Sequence, residues 1–247
     1  MKTIASRHNP WFQRLRDAVR AHSSEILVEG PKAIADAQAA GWSPVVIVHR
    51  VAEDGEKEAV HGAAEIAFTP ELFDSLADTR SPQRLLALFE RPKSDLASLF
   101  RRPETIVVAL DAVQDPGNAG AIVRLAAAFD AAGVVFLTGS ADPYGPKTIR
   151  GSAGSILTVP VATATLDELA DAARAAGFEM FVAERDGAAS PPPPARAVLV
   201  FGNEGSGPSE EIRRIARPIS ISMTDRVESL NVATAAAILL WQSYRAR

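Results

Sequence analysis

Apolar and polar positions alternate in two rhythms along the chain, and the two halves use them differently. Residues 9–21 carry apolar positions at helical spacing and read as a short helix. Compact apolar runs then mark strands at 25–30, 44–50, 65–70 and 83–90, with helices expected at 31–41 and 70–79, the latter with proline in its first turn. These elements make a small α/β domain over residues 1–90. Residues 91–104 are polar, basic and broken by prolines, and read as a linker. From 105 the pattern restarts with TIVVALDAV, a nearly unbroken apolar run of the kind buried on both faces of a parallel sheet. A helix at 118–132 and a strand at 134–139 follow, then an irregular stretch. Next come a helix at 166–177, a strand at 178–184, a loop at 185–196 with four consecutive prolines, and a strand at 197–202. The pattern closes with a helix at 209–216 (Ser209 as its N-cap), a strand at 218–222 and a final helix at 230–244. Strands alternating with helices over 105–247 predict a second α/β domain with a parallel sheet and right-handed crossovers.

Composition narrows the chemistry. The chain has no cysteine, which excludes disulfides, zinc–thiolate sites, iron–sulfur clusters and thiolate nucleophiles. All four histidines (His8, His22, His49 and His61) lie in the first half, so the second half must work without an imidazole base. No apolar run reaches membrane-spanning length and the first residues carry no signal-peptide core, so a cytoplasmic protein is expected. A net charge of −4 argues against indiscriminate nucleic-acid coating, yet basic residues cluster locally. Lys2, Arg7, Arg14, Arg16 and Arg20 face only Asp17 near the start, and Arg91, Lys93, Arg101 and Arg102 fall between the halves. Such patches suit contact with a few RNA phosphates or are solvated surface.

Three constellations in the second half carry candidate chemistry. In the first, a buried strand ends in the turn Gln114-Asp115-Pro116-Gly117, Asn118 stands where an N-cap would be, and Arg124 interrupts an otherwise apolar helix. An arginine in such company is expected to be partly buried, either as half of a structural ion pair or aimed at the strand ends where parallel sheets bind ligands. In the second, a strand runs into Gly202-Asn203-Glu204-Gly205-Ser206-Gly207 ahead of a helix. Glycines there permit close ligand approach, but no Lys-Ser/Thr follows, so this is not a phosphate-gripping P-loop. In the third, Glu228-Ser229 and Asn231 precede a long small-residue helix, which Asn231 also suits as a cap; Trp241 near its end suits a core or an interface.

The segments Asn118 to Arg124, Gly202 to Gly207 and Glu228 to Val232 together resemble, in order, the three motifs of the SpoU (TrmH-like) family of RNA ribose 2′-O-methyltransferases in the SPOUT superfamily. The N-terminal half resembles that family's L30e-like substrate-binding domain, notably LVEGPKAIADAQAAG and Thr79 to Gln83. The resemblance implies a C-terminal trefoil knot, S-adenosylmethionine (AdoMet) as cofactor, no metal, an RNA partner and a homodimer. Carried onto this chain, it places the cofactor on Thr138, Gly139, Gly202, Ile221, Met223 and Leu230. It gives catalytic roles to Arg124, Asn118, Glu204, Ser229 and Asn231, and RNA contacts to Arg7, Arg14, Arg80 and Arg84. Arginine holds its proton too tightly to be a literal base. Its expected part is to bind the neighbouring phosphate and stabilise the developing oxyanion. Ribosomal RNA is favoured over transfer RNA as substrate. The rivals are a non-catalytic RNA-binding or ribosome-assembly protein and a nucleotide-dependent α/β enzyme. The third motif departs from the family's common I-P-M-glycine by reading Ile221-Ser222-Met223-Thr224, and Ala119 and Arg84 are also unusual.

Overall fold

The computed structural model describes residues 3–20, 22–51, 63–77, 82–102, 105–185 and 195–246, and the chain divides into two compact units. The first comprises Met1–Pro92 with Tyr144–Ile149. Its elements are β1 (Thr3–Ile4), α1 (Pro10–Ala18), β2 (Glu25–Glu29), α2 (Pro31–Ala39), β3 (Pro44–Arg50), β4 (Ala64–Phe68), α3 (Pro70–Asp74) and β5 (Leu85–Glu90). The strands form one sheet in the order β1-β4-β3-β5-β2, with β5 antiparallel to both β2 and β3. Phe12 and Leu15 of α1 pack with Val46, Val48, Phe68 and Leu88 into its core. Asn9 caps α1 by accepting from the Trp11 N–H at 2.9 Å. The segment around Tyr144 joins this unit because its ring stands edge-on to Trp42 at 5.7 Å, while the Arg91 guanidinium lies 5.3 Å from the Tyr144 ring.

The second unit comprises Lys93–Pro143 and Arg150–Arg247. It contains β6 (Ile106–Leu110), α4 (Pro116–Ala128), β7 (Gly133–Leu137), α5 (Pro146–Gly151, which begins in the first unit), β8 (Val161–Ala164), α6 (Leu166–Ala176), β9 (Glu179–Ala183), β10 (Ala197–Phe201), α7 (Glu210–Ile215), β11 (Arg217–Ile219) and α8 (Val232–Arg245). Its six strands are all parallel, in the order β11-β9-β10-β6-β7-β8. The sequence expectation of a parallel sheet is met, and every residue of β6, β7 and β10 is buried. One face is covered by Leu169 and Ala173 of α6 and Ile212 of α7. α4 and α8 pack against each other, and α4 also touches β7. The chain runs outward from β6 through β7 to β8, then crosses back to β9. The strand order therefore reverses between β6 and β10, the kind of place at which open parallel sheets bind ligands beyond their carboxyl ends.

Three expectations need revision. The linker is not featureless: Leu96–Phe100 forms a 3-10 turn capped by Asp95, and Leu99 is buried in the core of the second unit. The stretch read as irregular contains α5, a second 3-10 turn at Ser155–Leu157 and the edge strand β8. These pieces are three to six residues long, too short for a periodic signal. The helix expected at 118–132 starts at Pro116, because Asp115 and not Asn118 is its N-cap, accepting from the Asn118 N–H at 2.8 Å. Of the proline loop, residues 186–194 lie outside the described residues.

Candidate functional site

The turn after β6 is held in an unusual backbone state. Ala112 has φ of +55°, a left-handed conformation that costs a non-glycine residue energy and needs fixing from outside. Asn203 supplies that: its Nδ2 donates to the Ala112 carbonyl at 2.8 Å. Its Oδ1 meanwhile accepts from the N–H groups of Gly205 and Ser206 at 2.9 and 3.0 Å, which closes the glycine turn on itself. Asp111, nearly buried, accepts from the Ser209 N–H at 2.7 Å and ties the start of α7 to the end of β6. Sequence reasoning missed Asn203 and Asp111 as supports. The available signal for Asn203 was the Asx-turn pattern Asn203-Glu204-Gly205-Ser206, with glycine and serine two and three residues after the asparagine.

On this frame three distant segments meet at one side chain. Glu204 accepts from the Gln114 and Asp115 N–H groups, both at 3.3 Å, and from Asn118 Nδ2 at 3.0 Å. Asn118 Oδ1 in turn accepts from Asn231 Nδ2 at 3.0 Å. Asn231 also caps α8, its Oδ1 accepting from the Ala233 and Thr234 N–H groups at 2.9 and 3.3 Å. Asn231 therefore caps α8 with one end of its amide and holds Asn118 with the other.

Beside this cluster a cavity of about 670 Å³ opens at the carboxyl ends of β9, β10 and β11. Phe201, Ile219 and Leu239 give it an apolar wall. Gly202, Ile221, Met223 and Leu230, four of the six residues expected at a cofactor, line it, as do Ser229, Glu204 and Asn231. Gly202 is required by sterics, since a Cβ there would run into the backbone of Gly207 and Pro208. Thr138 and Gly139 do not line this cavity. They follow β7, which β6 separates from β10, so they stand at the far side of the strand ends. Among charged lining groups, Glu184 Oε1 accepts from Arg213 Nε at 2.5 Å, and Arg213 Nη1 donates to Glu210 at 2.6 Å. Hydrogen bonds to Glu184 and then Glu210 raise the pKa of Arg213 above its ordinary value.

The expected burial of Arg124 is not found. α4 turns Ala119, Ile122, Val123 and Ala126 to the interior, and Arg124 falls on the opposite, exposed arc. Its apolar sequence neighbours lie on the other side of the helix, and so say nothing about its own surroundings. It is not among the residues lining the cavity, and it stands about 9 Å along the helix axis from Asn118. Among the described residues it makes no ion pair and no hydrogen bond through its side chain.

The expected RNA-contact residues divide. Arg7 and Arg84 are exposed. Arg14 is committed to Glu25, with its Nε 2.9 Å from Oε2 and its guanidinium over the Trp11 ring. Arg80 lies outside the described residues. In the second basic cluster, Arg91 donates to the Ser23 carbonyl and Arg102 pairs with Asp130, so neither is a loose surface charge. No group of acidic, histidine or cysteine side chains among the described residues is arranged to hold a metal ion, and no described helix is long and apolar enough to cross a membrane.

Comparison with known proteins places this geometry. Residues 105–241 match the model of the SpoU rRNA Methylase family, and residues 13–87 match the MRM3-like substrate binding domain. The chain is 29% identical to the 23S rRNA (guanosine(2553)-2′-O)-methyltransferase RlmP of Bacillus subtilis, over 98% of each chain. It is 31% identical to the 23S rRNA (uridine(2479)-2′-O)-methyltransferase of Streptomyces viridochromogenes, covering 92% of this chain and 85% of that one. Among solved structures, the AdoMet-bound rRNA methyltransferase from Sinorhizobium meliloti superposes with a TM-score of 0.87 at 28% identity, covering 99% of this chain and 98% of that one. The S. viridochromogenes SpoU methyltransferase AviRb in complex with AdoMet also gives a TM-score of 0.87, at 27% identity, over 97% of this chain and 98% of that one.

Proposed function

The chain belongs to the SpoU rRNA methylase family, and on that premise we propose that it methylates a ribose 2′-OH in ribosomal RNA with AdoMet as donor. The observation that carries this reading is the convergence of Glu204 and Asn231 on Asn118 at the rim of the cavity. A non-catalytic RNA-binding protein has no need of that linkage, and a nucleotide-dependent enzyme would need a phosphate grip that the 202–207 turn lacks.

The cavity fits AdoMet. Its volume of about 670 Å³ is ample for such a ligand, and its wall of Phe201, Ile219 and Leu239 suits an adenine ring. Gly202, Ile221, Met223 and Leu230 would hold it, with backbone groups of the glycine turn able to reach its polar edges. AdoMet supplies a methyl group on a positively charged sulfur, already activated for transfer to oxygen. Positioning is then the protein's main task, which agrees with a site lacking histidine and cysteine. Asn118, locked between Glu204 and Asn231, presents a fixed polar surface to the sugar, and Ser229 adds an exposed hydroxyl at the same rim. Arg124, exposed and without a protein partner among the described residues, is suited to grip an RNA phosphate and stabilise the oxyanion forming beside it. Glu204 takes three hydrogen bonds and acts chiefly by orienting Asn118 and the 114–115 turn.

The first unit would bring the RNA, through Arg7 and Arg84 among its exposed cations. The trefoil knot implied by the family would lie between β10 and the start of α8, the segment that furnishes most of the cavity wall. A homodimer is supported by Trp241 and Tyr244, both 49% exposed on α8. A cytoplasmic setting follows from an rRNA substrate. Mapping ribose methylation across the rRNA of cells lacking this protein should show one position losing its methyl group. An unchanged map would contradict the proposal.

A further inference from the structure

The cavity has a charged corner, Glu184 with Arg213, away from the Glu204–Asn118–Asn231 cluster. β9 ends at Ala183, and the next residue, Glu184, lines the cavity with its side chain only 23% exposed. Its backbone is fixed, because its N–H donates to the Ile219 carbonyl of β11 at 2.9 Å. Its carboxylate is fixed as well by Arg213 Nε at 2.5 Å, and Arg213 is braced from behind by Glu210, whose side chain is 69% exposed and well solvated. A carboxylate offers about four lone-pair positions, and Arg213 Nε occupies one. Among the described residues Oε2 accepts no hydrogen bond, so a rigid carboxylate with spare acceptor positions faces the cavity. Glu184 lies two strands from β6, roughly 10 Å across the sheet from the turn that Glu204 grips. That separation suits a ligand whose reactive centre sits near Glu204 and whose sugar lies further along the cavity.

We propose that Glu184, held in place by Arg213, accepts hydrogen bonds from the 2′,3′-diol of the ligand's ribose and so selects an adenosyl group. This rests on the methyltransferase reading. The choice of a diol over the ligand's ammonium follows from charge and valence. Arg213 already neutralises Glu184, so what remains is acceptor capacity more than net charge, and a vicinal diol brings two neutral donors to match it. An acidic residue past the end of a parallel strand meets ribose hydroxyls in the same way in dinucleotide-binding sheets.

The test is calorimetric titration of the full chain with AdoMet and with 5′-methylthioadenosine, which keeps the diol and lacks the amino-acid arm. Glu184→Ala should weaken both ligands at least about tenfold. Glu184→Gln, which retains one acceptor oxygen and the contact with Arg213, should weaken both by a smaller factor. A Glu184→Ala effect on AdoMet alone would show that the carboxylate meets the ammonium and would overturn the proposal. Unchanged affinity for both ligands would reduce the pair to a structural brace and overturn it equally. Thermal unfolding of each variant guards against misfolding, and Glu184→Gln decides the question if the alanine variant does not fold. Failure of the wild-type chain to bind AdoMet would instead defeat the methyltransferase reading itself.

Discussion

Asn118 uses both ends of one amide, and the direction of that amide is forced. A carboxylate only accepts, so Nδ2 must face Glu204 and Oδ1 must face Asn231 Nδ2. Asn118→Ala removes the link while leaving Glu204 its two backbone donors. We expect methyl transfer to fall at least about 100-fold with AdoMet affinity within a few-fold of wild type, as measured by single-turnover kinetics and titration. Asn118→Asp sets a second carboxylate against Glu204 and should lower both turnover and unfolding temperature further than alanine does. Arg124→Ala should abolish methyl transfer with AdoMet binding preserved, and near-wild-type turnover would remove it from the catalytic set. Its solvent exposure was not legible, because the apolar residues around it in sequence sit on another face of α4. The motif residues were legible as types and spacings. Asn203 was harder to see, because its role depends on the left-handed Ala112 some 91 positions away in the chain.

At the scale of elements, ends are set by caps that local sequence encodes well. Ser209 caps α7 and Asn231 caps α8 as expected. Thr165 and Glu168 form a reciprocal capping box at the start of α6, with Glu168 Oε2 accepting from the Thr165 N–H at 2.7 Å. Thr165→Ala should cost about 1 kcal/mol, seen as a lower denaturation midpoint of the second unit. The stretch from 140 to 165 resisted sequence reading because β8 needs only four residues, completed by pairing with β7. In the first unit, Arg50 lies 2.8 Å from Asp74 and holds that carboxyl below its ordinary value of 3.8. A depressed pKa means the pair stabilises the fold fully above the unfolded-state value and is lost as pH falls through the folded-state value. Both partners are about a third exposed, so the contribution is modest, about 0.5 kcal/mol. Asp74→Asn should therefore lower the unfolding temperature at pH 7 and make little difference near pH 2, by thermal melts at both.

For the whole molecule, sequence pattern indicated two α/β parts but could not show that residues 144–149 join the first unit, since that rests on contacts distant in sequence, among them those of Tyr144 with Trp42 and Arg91. A knot such as the family resemblance implies would likewise be invisible to periodicity, which carries no information about chain crossings. On α8, Trp241 and Tyr244 lie three residues apart on one exposed face, with Arg245 over the Trp241 ring. If the proposed homodimer forms through this face, the wild-type chain should sediment as a dimer and Trp241→Glu as a monomer; a monomeric wild type, or an unchanged sedimentation coefficient in the variant, would contradict that proposal. The central claim is that the cavity at the ends of β9 and β10 delivers a methyl group to a sugar oxygen. Its most direct test is to incubate the purified chain with methyl-labelled AdoMet and unmodified 23S rRNA, then digest the RNA to nucleosides and identify the labelled product by mass spectrometry. The expected result is label in a single 2′-O-methylnucleoside, lost with Arg124→Ala. Label on a base, or no label in any RNA nucleoside while AdoMet binds, would contradict it.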